Sequence, residues 1–278
     1  MLKVKNLHLN NRLYDVTINI VRGQFWAVMG PNGAGKSSLL EVVSGIAPLQ
    51  EAGEGKICLE IADDNSQMHW RELSDLDLPT LSTSRCLVTQ DYHSEFAISV
   101  AELLHFFAGV PNNVFEFIQG EAQEKQTSGK DFLYQLEAHL NIATLMKRSF
   151  CKLSGGEKQR VHLARNLLQI GQKIEKGQAL VLLDEPLQQL DVNYQHKALA
   201  LFKLLQEKGN TLVMSHHDIN QVQTYCSHAC LLKNGRIFKQ GKLNDVLSIT
   251  ALSELYEHPF ESIISQDGQS SYFVSACQ

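Results

Sequence analysis

The stretch Gly30-Pro31-Asn32-Gly33-Ala34-Gly35-Lys36-Ser37 constrains the fold more than any other part of this sequence. It fits the pattern G-x-x-x-x-G-K-[ST] in the setting that pattern requires. The apolar run Phe25-Trp26-Ala27-Val28-Met29 precedes it, and Ser37 to Ser44 has helical character. Strand, glycine loop and helix in succession belong to an α/β fold with a parallel sheet. The glycines let backbone N–H groups curl around phosphate oxygens, and the helix opening near Ser37 adds the positive end of its dipole. Lys36 is placed to reach the β- and γ-phosphates of a nucleotide, the Ser37 hydroxyl to ligate Mg2+, and Ser38 to join the phosphate site. A chance glycine turn is the competing explanation, which the flanking strand and helix discount.

Further on, Ala179-Leu180-Val181-Leu182-Leu183-Asp184-Glu185 reads as an apolar strand ending in two carboxylates. Strand alternation would point the two side chains in different directions. Asp184 can then hold a metal through water, and Glu185 can polarise an attacking water, a role in which a positioned base contributes about 10² to 10⁴ in rate. An acidic pair alone could equally be a solvated strand end. A third stretch is Leu153-Ser154-Gly155-Gly156-Glu157-Lys158-Gln159-Arg160-Val161. It could be a loop opening a helix with Ser154 as its N-cap. The same exposed N–H groups and hydroxyl would also make a second anion site, yet one nucleotide does not need two phosphate cradles.

The rest of the chain sorts into an α/β core and a helical insertion. Leu2 to Leu9 and Tyr14 to Val21 alternate as two strands about the turn at Asn10-Asn11. Residues 50 to 80 are polar and acidic, and predict one strand near Lys56 to Ile61 with a surface loop. Helical spacing returns at Val100, Leu103, Leu104 and Phe107, and again at Phe132, Leu133, Leu136 and Leu140, with a polar loop from Gly120 to Lys130 between. From Val161 onward helices alternate with the buried runs Leu180 to Leu183 and Thr211 to Met214. At 278 residues the chain can bury a substantial core. A net charge of -5 with no lysine- or arginine-rich run argues against nucleic acid as a partner. No apolar stretch approaches the roughly 20 residues that span a bilayer. The opening Met1-Leu2-Lys3-Val4-Lys5-Asn6 lacks a signal peptide's pattern, and the 6 cysteines show no zinc spacing. Reduced thiols and a cytoplasmic setting are expected.

A glycine-lysine loop, an LSGGE-type stretch and a strand ending in Asp184-Glu185, in this order, resemble the nucleotide-binding subunit of an ABC transporter over essentially the whole chain. The resemblance implies a single domain over 1–278. Its α/β core is of the P-loop NTPase, ABC ATPase type and carries an antiparallel β-subdomain, at about 1–90 and 161–278. A helical subdomain is inserted at about 91–160. It implies ATP and Mg2+ as ligands, and a homodimer whose chains pair head to tail. In that pairing Ser154, Gly155, Gly156 and Glu157 of one chain close on ATP held by the other. It also implies integral membrane permease subunits docked on the helical region, a periplasmic solute-binding protein acting indirectly, and a place on the cytoplasmic face of a bacterial inner membrane. Residue by residue, Gln90 matches the glutamine that touches Mg2+ or its water, Asp191 the end of the D-loop, and His217 the histidine that contacts the γ-phosphate. His216 is the rival for that last role, but the pairing with Asp218 favours His217. Two departures stand out: Gln188-Gln189 replaces the common Ser-Ala, and the segment Leu7 to Arg12 lacks the aromatic residue that stacks on adenine. His8 or Arg12 could stand in. Within the family the resemblance runs to ATPases of vitamin B12 importers, a type that also serves haem and ferric siderophores. It rests on Leu190-Asp191-Val192, Val213 to Asn220 and the run Leu231 to Arg236. A non-transport ATPase of the same family would usually carry paired cassettes or a coiled-coil insertion.

Overall fold

The computed structural model describes residues 1–47, 53–62, 67–89, 97–108, 130–264 and 271–276. Gln90 and most of the loop expected from Gly120 to Lys130 lie outside them. The elements run β1 (Leu2–Leu9), β2 (Leu13–Ile20), β3 (Phe25–Met29), α1 (Lys36–Ser44), β4 (Gly53–Ala62), β5 (Met68–Glu72), α2 (Leu78–Ser84) and β6 (Arg85–Val88). Then come α3 (Val100–Ala108), α4 (Lys130–Leu140), α5 (Gly155–Gln169), α6 (Gly171–Glu175), β7 (Leu180–Asp184), α7 (Val192–Glu207) and β8 (Thr211–Ser215). The chain ends in α8 (Ile219–Tyr225), β9 (His228–Lys233), β10 (Arg236–Lys242), α9 (Leu243–Val246), α10 (Ile249–Tyr256), β11 (Phe260–Ile264) and β12 (Ser271–Ser275). Two compact units divide it, one of Met1–Leu76 with Val213–Gln278 and one of Asp77–Leu212.

In the first unit an antiparallel sheet runs β2-β1-β4-β5. Its buried positions are Leu2, Val4, Leu7 and Leu9 on β1 against Leu13, Val16, Ile18 and Ile20 on β2. Each strand breaks the period of two once, and the register shows why. Val4 faces Ile18, Leu7 faces Val16 and Leu9 faces Leu13, so each strand carries one extra residue and the two insertions compensate. The bulged positions include Asn6 at φ 48° and Asp15 at φ 54°, residue types that tolerate the left-handed region. The stretch expected to be one strand and a loop holds two strands and a helix. β5 pairs with β4 from Cys58–Glu72 to Ala62–Met68, although little of it is buried. Its polar sequence reflects that exposure and hides the strand.

The unit's second sheet has β3 parallel to β9, with β10 antiparallel at the edge and β8 on the other side of β3. Every residue of β3 and β8 is buried, the signature of a strand covered on both faces. A two-stranded hairpin of β11 and β12 was not foreseen from the sequence. It is fastened to α8 by Asn220, whose Nδ2 donates to the Phe273 carbonyl at 3.0 Å while its Oδ1 accepts the Phe273 N–H at 2.9 Å.

In the second unit β6 runs parallel to β7. Val100, Leu103 and Leu104 of α3 are fully buried, as are Leu136 and Leu140 of α4, so the 3.6-residue period predicted both helices; the side chain of Phe107 lies outside the described residues. Arg160 of α5 is buried against α4 and α7. Its Nη1 donates to the carbonyls of Leu140 at 2.7 Å and Asn141 at 3.1 Å, and its guanidinium lies 4.1 Å from the centre of the Tyr194 ring. Asn210 closes the base of β7: its Nδ2 donates to Ile174 and Leu205, and its Oδ1 accepts the Ala179 N–H at 3.0 Å. Among the described residues no helix is long and apolar enough to cross a membrane.

Candidate active site

The glycine loop lies in the first unit, between β3 and α1. Gly35 stands at the N-cap of α1 with φ 101° and offers no side-chain cap, so the first-turn N–H groups keep no partner from that position. A Cβ there would lie 2.7 Å from Cδ2 of Leu13 and 3.0 Å from the Arg12 carbonyl oxygen. Only glycine fits under the β1–β2 turn in that conformation. Lys36 is 6% exposed, and its Nζ donates to the carbonyls of Gly30 at 2.9 Å and Pro31 at 3.1 Å. A buried ammonium is costly unless hydrogen-bonded, and here the loop's own carbonyls hold it across the loop. Asn32, Gly33 and Ser37 are exposed, Pro31 and Ser38 half-buried, and Ala34 buried. A glycine loop that leads into a helix start without a side-chain cap and is crossed by one lysine suits a polyphosphate.

The same unit holds both histidines that follow β8. His216 is half-buried, with its Nε2 2.8 Å from Oε1 of Gln221 and its N–H donated to the Val28 carbonyl. His217 is exposed at the strand end. Asp218 caps α8 through the N–H groups of Asn220 and Gln221. The sequence favoured His217 by its pairing with Asp218; it gave no sign of the Gln221 contact, which depends on the turn into α8. Of the two residues that could stack on adenine in place of the missing aromatic, His8 packs edge-on against Tyr14 at 5.2 Å and Arg12 is exposed.

In the second unit β7 is buried throughout and stops at Asp184, which is 7% exposed. The chain then turns at Glu185, whose φ of 47° is left-handed. A non-glycine residue in that region costs on the order of 1 kcal/mol, so the surrounding contacts must hold it. Gln188 supplies one of them: its Nε2 donates to Oε2 of Glu185 at 2.9 Å.

Ser154 is the N-cap of α5 and forms a capping box with Glu157. Its Oγ accepts the Glu157 N–H at 3.3 Å, and the Glu157 carboxylate accepts the Ser154 N–H at 2.8 Å. The Ser154 N–H, and then the Arg148 guanidinium paired with it, hold the Glu157 carboxyl below its ordinary range. A Cβ on Gly156 would sit 3.0 Å from the Gln189 carbonyl oxygen, a tight approach. Asp191 caps α7 by accepting the Tyr194 N–H at 2.9 Å. The site residues named from sequence thus fall in both units, Gly30 to Ser38 and His217 in the first, Ser154 to Glu157, Asp184, Glu185 and Asp191 in the second.

Among the described residues no three His, Cys, Asp or Glu side chains form a metal cluster. Mg2+ usually takes most of its oxygens from phosphate and water, so Ser37 and Asp184 are two residues that could hold it here.

Known proteins are similar to this chain in sequence and in fold. A family profile described as ABC transporter matches residues 13–188. The hemin import ATP-binding protein of Shewanella denitrificans is 31% identical over 267 residues, with 94% of each chain covered. The vitamin B12 import ATP-binding protein of Photobacterium profundum is 30% identical over 256 residues, with 92% of each covered. Among solved structures, a chain from a transporter assigned to the metal-chelate type, in an inward-facing conformation, is 26% identical with a TM-score of 0.70, covering 100% of this chain and 98% of that one. A bacterial ABC transporter cassette solved as a dimer is 26% identical with a TM-score of 0.61, over 87% of this chain and 99% of that one. With the glycine-lysine loop, the capped Ser154-Gly155-Gly156 segment and the buried strand ending in Asp184 all in place, the chain belongs to the ABC transporter family, as an ATPase domain of that family.

Proposed function

We propose that this chain binds Mg·ATP and hydrolyses it to energise an ABC importer, working as a pair of identical subunits docked on membrane permease subunits. The observation that carries the ATP reading is the uncapped start of α1 with Lys36 folded across the glycine loop, ready to exchange two carbonyl partners for phosphate oxygens. In this reading Ser37 and Asp184 serve Mg2+, with Gln90 touching the ion or its water. Gly30 to Ser38 cradle the phosphates, His217 contacts the γ-phosphate, and Glu185 takes the proton of the attacking water. Ser154, Gly155, Gly156 and Glu157, with Asp191, serve the nucleotide held by the partner chain.

Vitamin B12 is the proposed solute, delivered through a periplasmic solute-binding protein. Hemin import is the second reading, because the hemin and vitamin B12 import proteins are similar to this chain to the same degree. Solute choice belongs to the permease rather than to an ATPase site. Isolating the permease that co-purifies from native membrane and assaying uptake of cobalamin against hemin separates the two.

The hydrolytic reading is tested by Glu185→Gln, which keeps hydrogen-bonding reach but cannot accept the proton. ATP binding should persist, turnover should fall about 10² to 10⁴-fold, and the protein should dimerise in an ATP-dependent way. Sedimentation with and without Mg·ATP, alone and with the permease, is the check. A monomer at saturating ATP in both settings would refute the head-to-tail pair.

A further inference from the structure

Gln188 lies in a turn whose every exit is fastened. Leu187 and Leu190 are buried, and Nε2 of Gln195 donates to the carbonyls of both, at 3.3 Å and 3.0 Å. The carbonyl of Pro186 accepts from Nε2 of Gln159, a buried side chain on α5, at 2.8 Å. Gln189 abuts the start of the same helix, its carbonyl and its side-chain Oε1 lying where Cβ atoms on Gly156 and Gly155 would be crowded. From this fixed turn Gln188 makes two contacts with one residue. Its N–H points to the Glu185 carbonyl at 3.4 Å, and its side-chain Nε2 donates to Glu185 Oε2 at 2.9 Å.

We propose that Gln188 is a positioning residue that orients the Glu185 carboxylate for hydrolysis. The proposal rests on Glu185 being the base. Glu185 leaves β7 in a left-handed conformation, is only half-buried, and has three side-chain torsions to fix. An amide donor on one carboxylate oxygen restrains that freedom. As the water's oxygen joins the γ-phosphorus and the bond to ADP breaks, the water's proton passes to the carboxylate. The Gln188 amide stays neutral and takes no proton, so its contribution is geometric.

The test uses the full chain with Mg·ATP. Gln188→Met keeps the length of the side chain and removes the donor. Its kcat should fall about tenfold, the rate equivalent of one oriented hydrogen bond to a charged group, with KM for ATP unchanged. Gln188→Glu should lose more, because it places a second carboxylate against the first. In a Glu185→Gln background, Gln188→Met should cause no further loss in single-turnover rate, since there is no base left to orient. Wild-type kcat in Gln188→Met would overturn the proposal. So would an equal loss from that substitution in both backgrounds, which marks a structural role. Failure of the underlying reading looks different: turnover would then survive Glu185→Gln itself.

Discussion

Lys36 shows how one residue can be both buried and available. Its ammonium is held by two carbonyls of its own loop, so folding does not leave the charge unpaired when no phosphate is near. Exchange of these neutral acceptors for anionic oxygens is favourable because the ammonium then meets opposite charge at hydrogen-bond distance. Lys36→Ala should therefore weaken Mg·ATP affinity at least about tenfold and abolish turnover, while leaving the fold intact. Titration with a fluorescent ATP analogue, alongside thermal unfolding, checks both halves; unchanged affinity with full turnover would remove Lys36 from the phosphate site.

At the scale of an element, α5 owes its start to a reciprocal cap and its anchorage to buried polar side chains. Ser154 and Glu157 satisfy two of the N–H groups that a helix start leaves open. Ser154→Ala removes one acceptor, the hydroxyl of an exposed residue. It should cost about 1 kcal/mol of stability, the usual worth of an N-cap. If the hydroxyl also meets nucleotide across the pair, the ATP-dependent dimer of Glu185→Gln should weaken as well. Ser154→Asp separates the two roles, since aspartate restores the cap but brings a negative charge to phosphate. Recovery of stability without recovery of the dimer is the expected pattern, and sedimentation beside thermal unfolding reads both.

One contribution to the acid response of the whole molecule comes from a histidine that the proposed function does not use. His162 on α5 is buried, and burial, with Arg165 adding to it, pushes its imidazole down to about 3 against an opposing hydrogen bond at the Thr89 backbone. The unfolded chain takes up that proton near pH 6.5, the folded chain only near 3. Stability from the neutral ring is complete above about pH 6.5 and is lost as the pH falls toward 3. Between pH 7.5 and 5.5 the loss is on the order of 1 kcal/mol, or about 2–4 °C in Tm for a chain of this size. His162→Gln, which cannot titrate, should show a smaller drop over that interval. Equal drops in both proteins would show that the acid response arises elsewhere.

Local chemistry determined a good part of this protein. The glycine loop with its strand and helix, the apolar runs of β7 and β8, and the helical spacing of α3 and α4 were all legible, because each depends on residues adjacent in sequence and on a period fixed by the backbone. The Ser154–Glu157 spacing also carried its capping box in plain view, though only the Ser154 cap was drawn from it. What the sequence could not decide were features set by partners far away in the chain or by the handedness of a single residue. β5 is a strand because β4 offers it hydrogen bonds, not because its exposed side chains alternate in polarity. β11 and β12 pair with one another and are held by Asn220, some 53 residues from Phe273. The contact of Gln188 with Glu185 exists only because Glu185 turns left-handed at the end of β7, a conformation that its identity as glutamate disfavours and that the packed turn around Pro186 to Leu190 enforces.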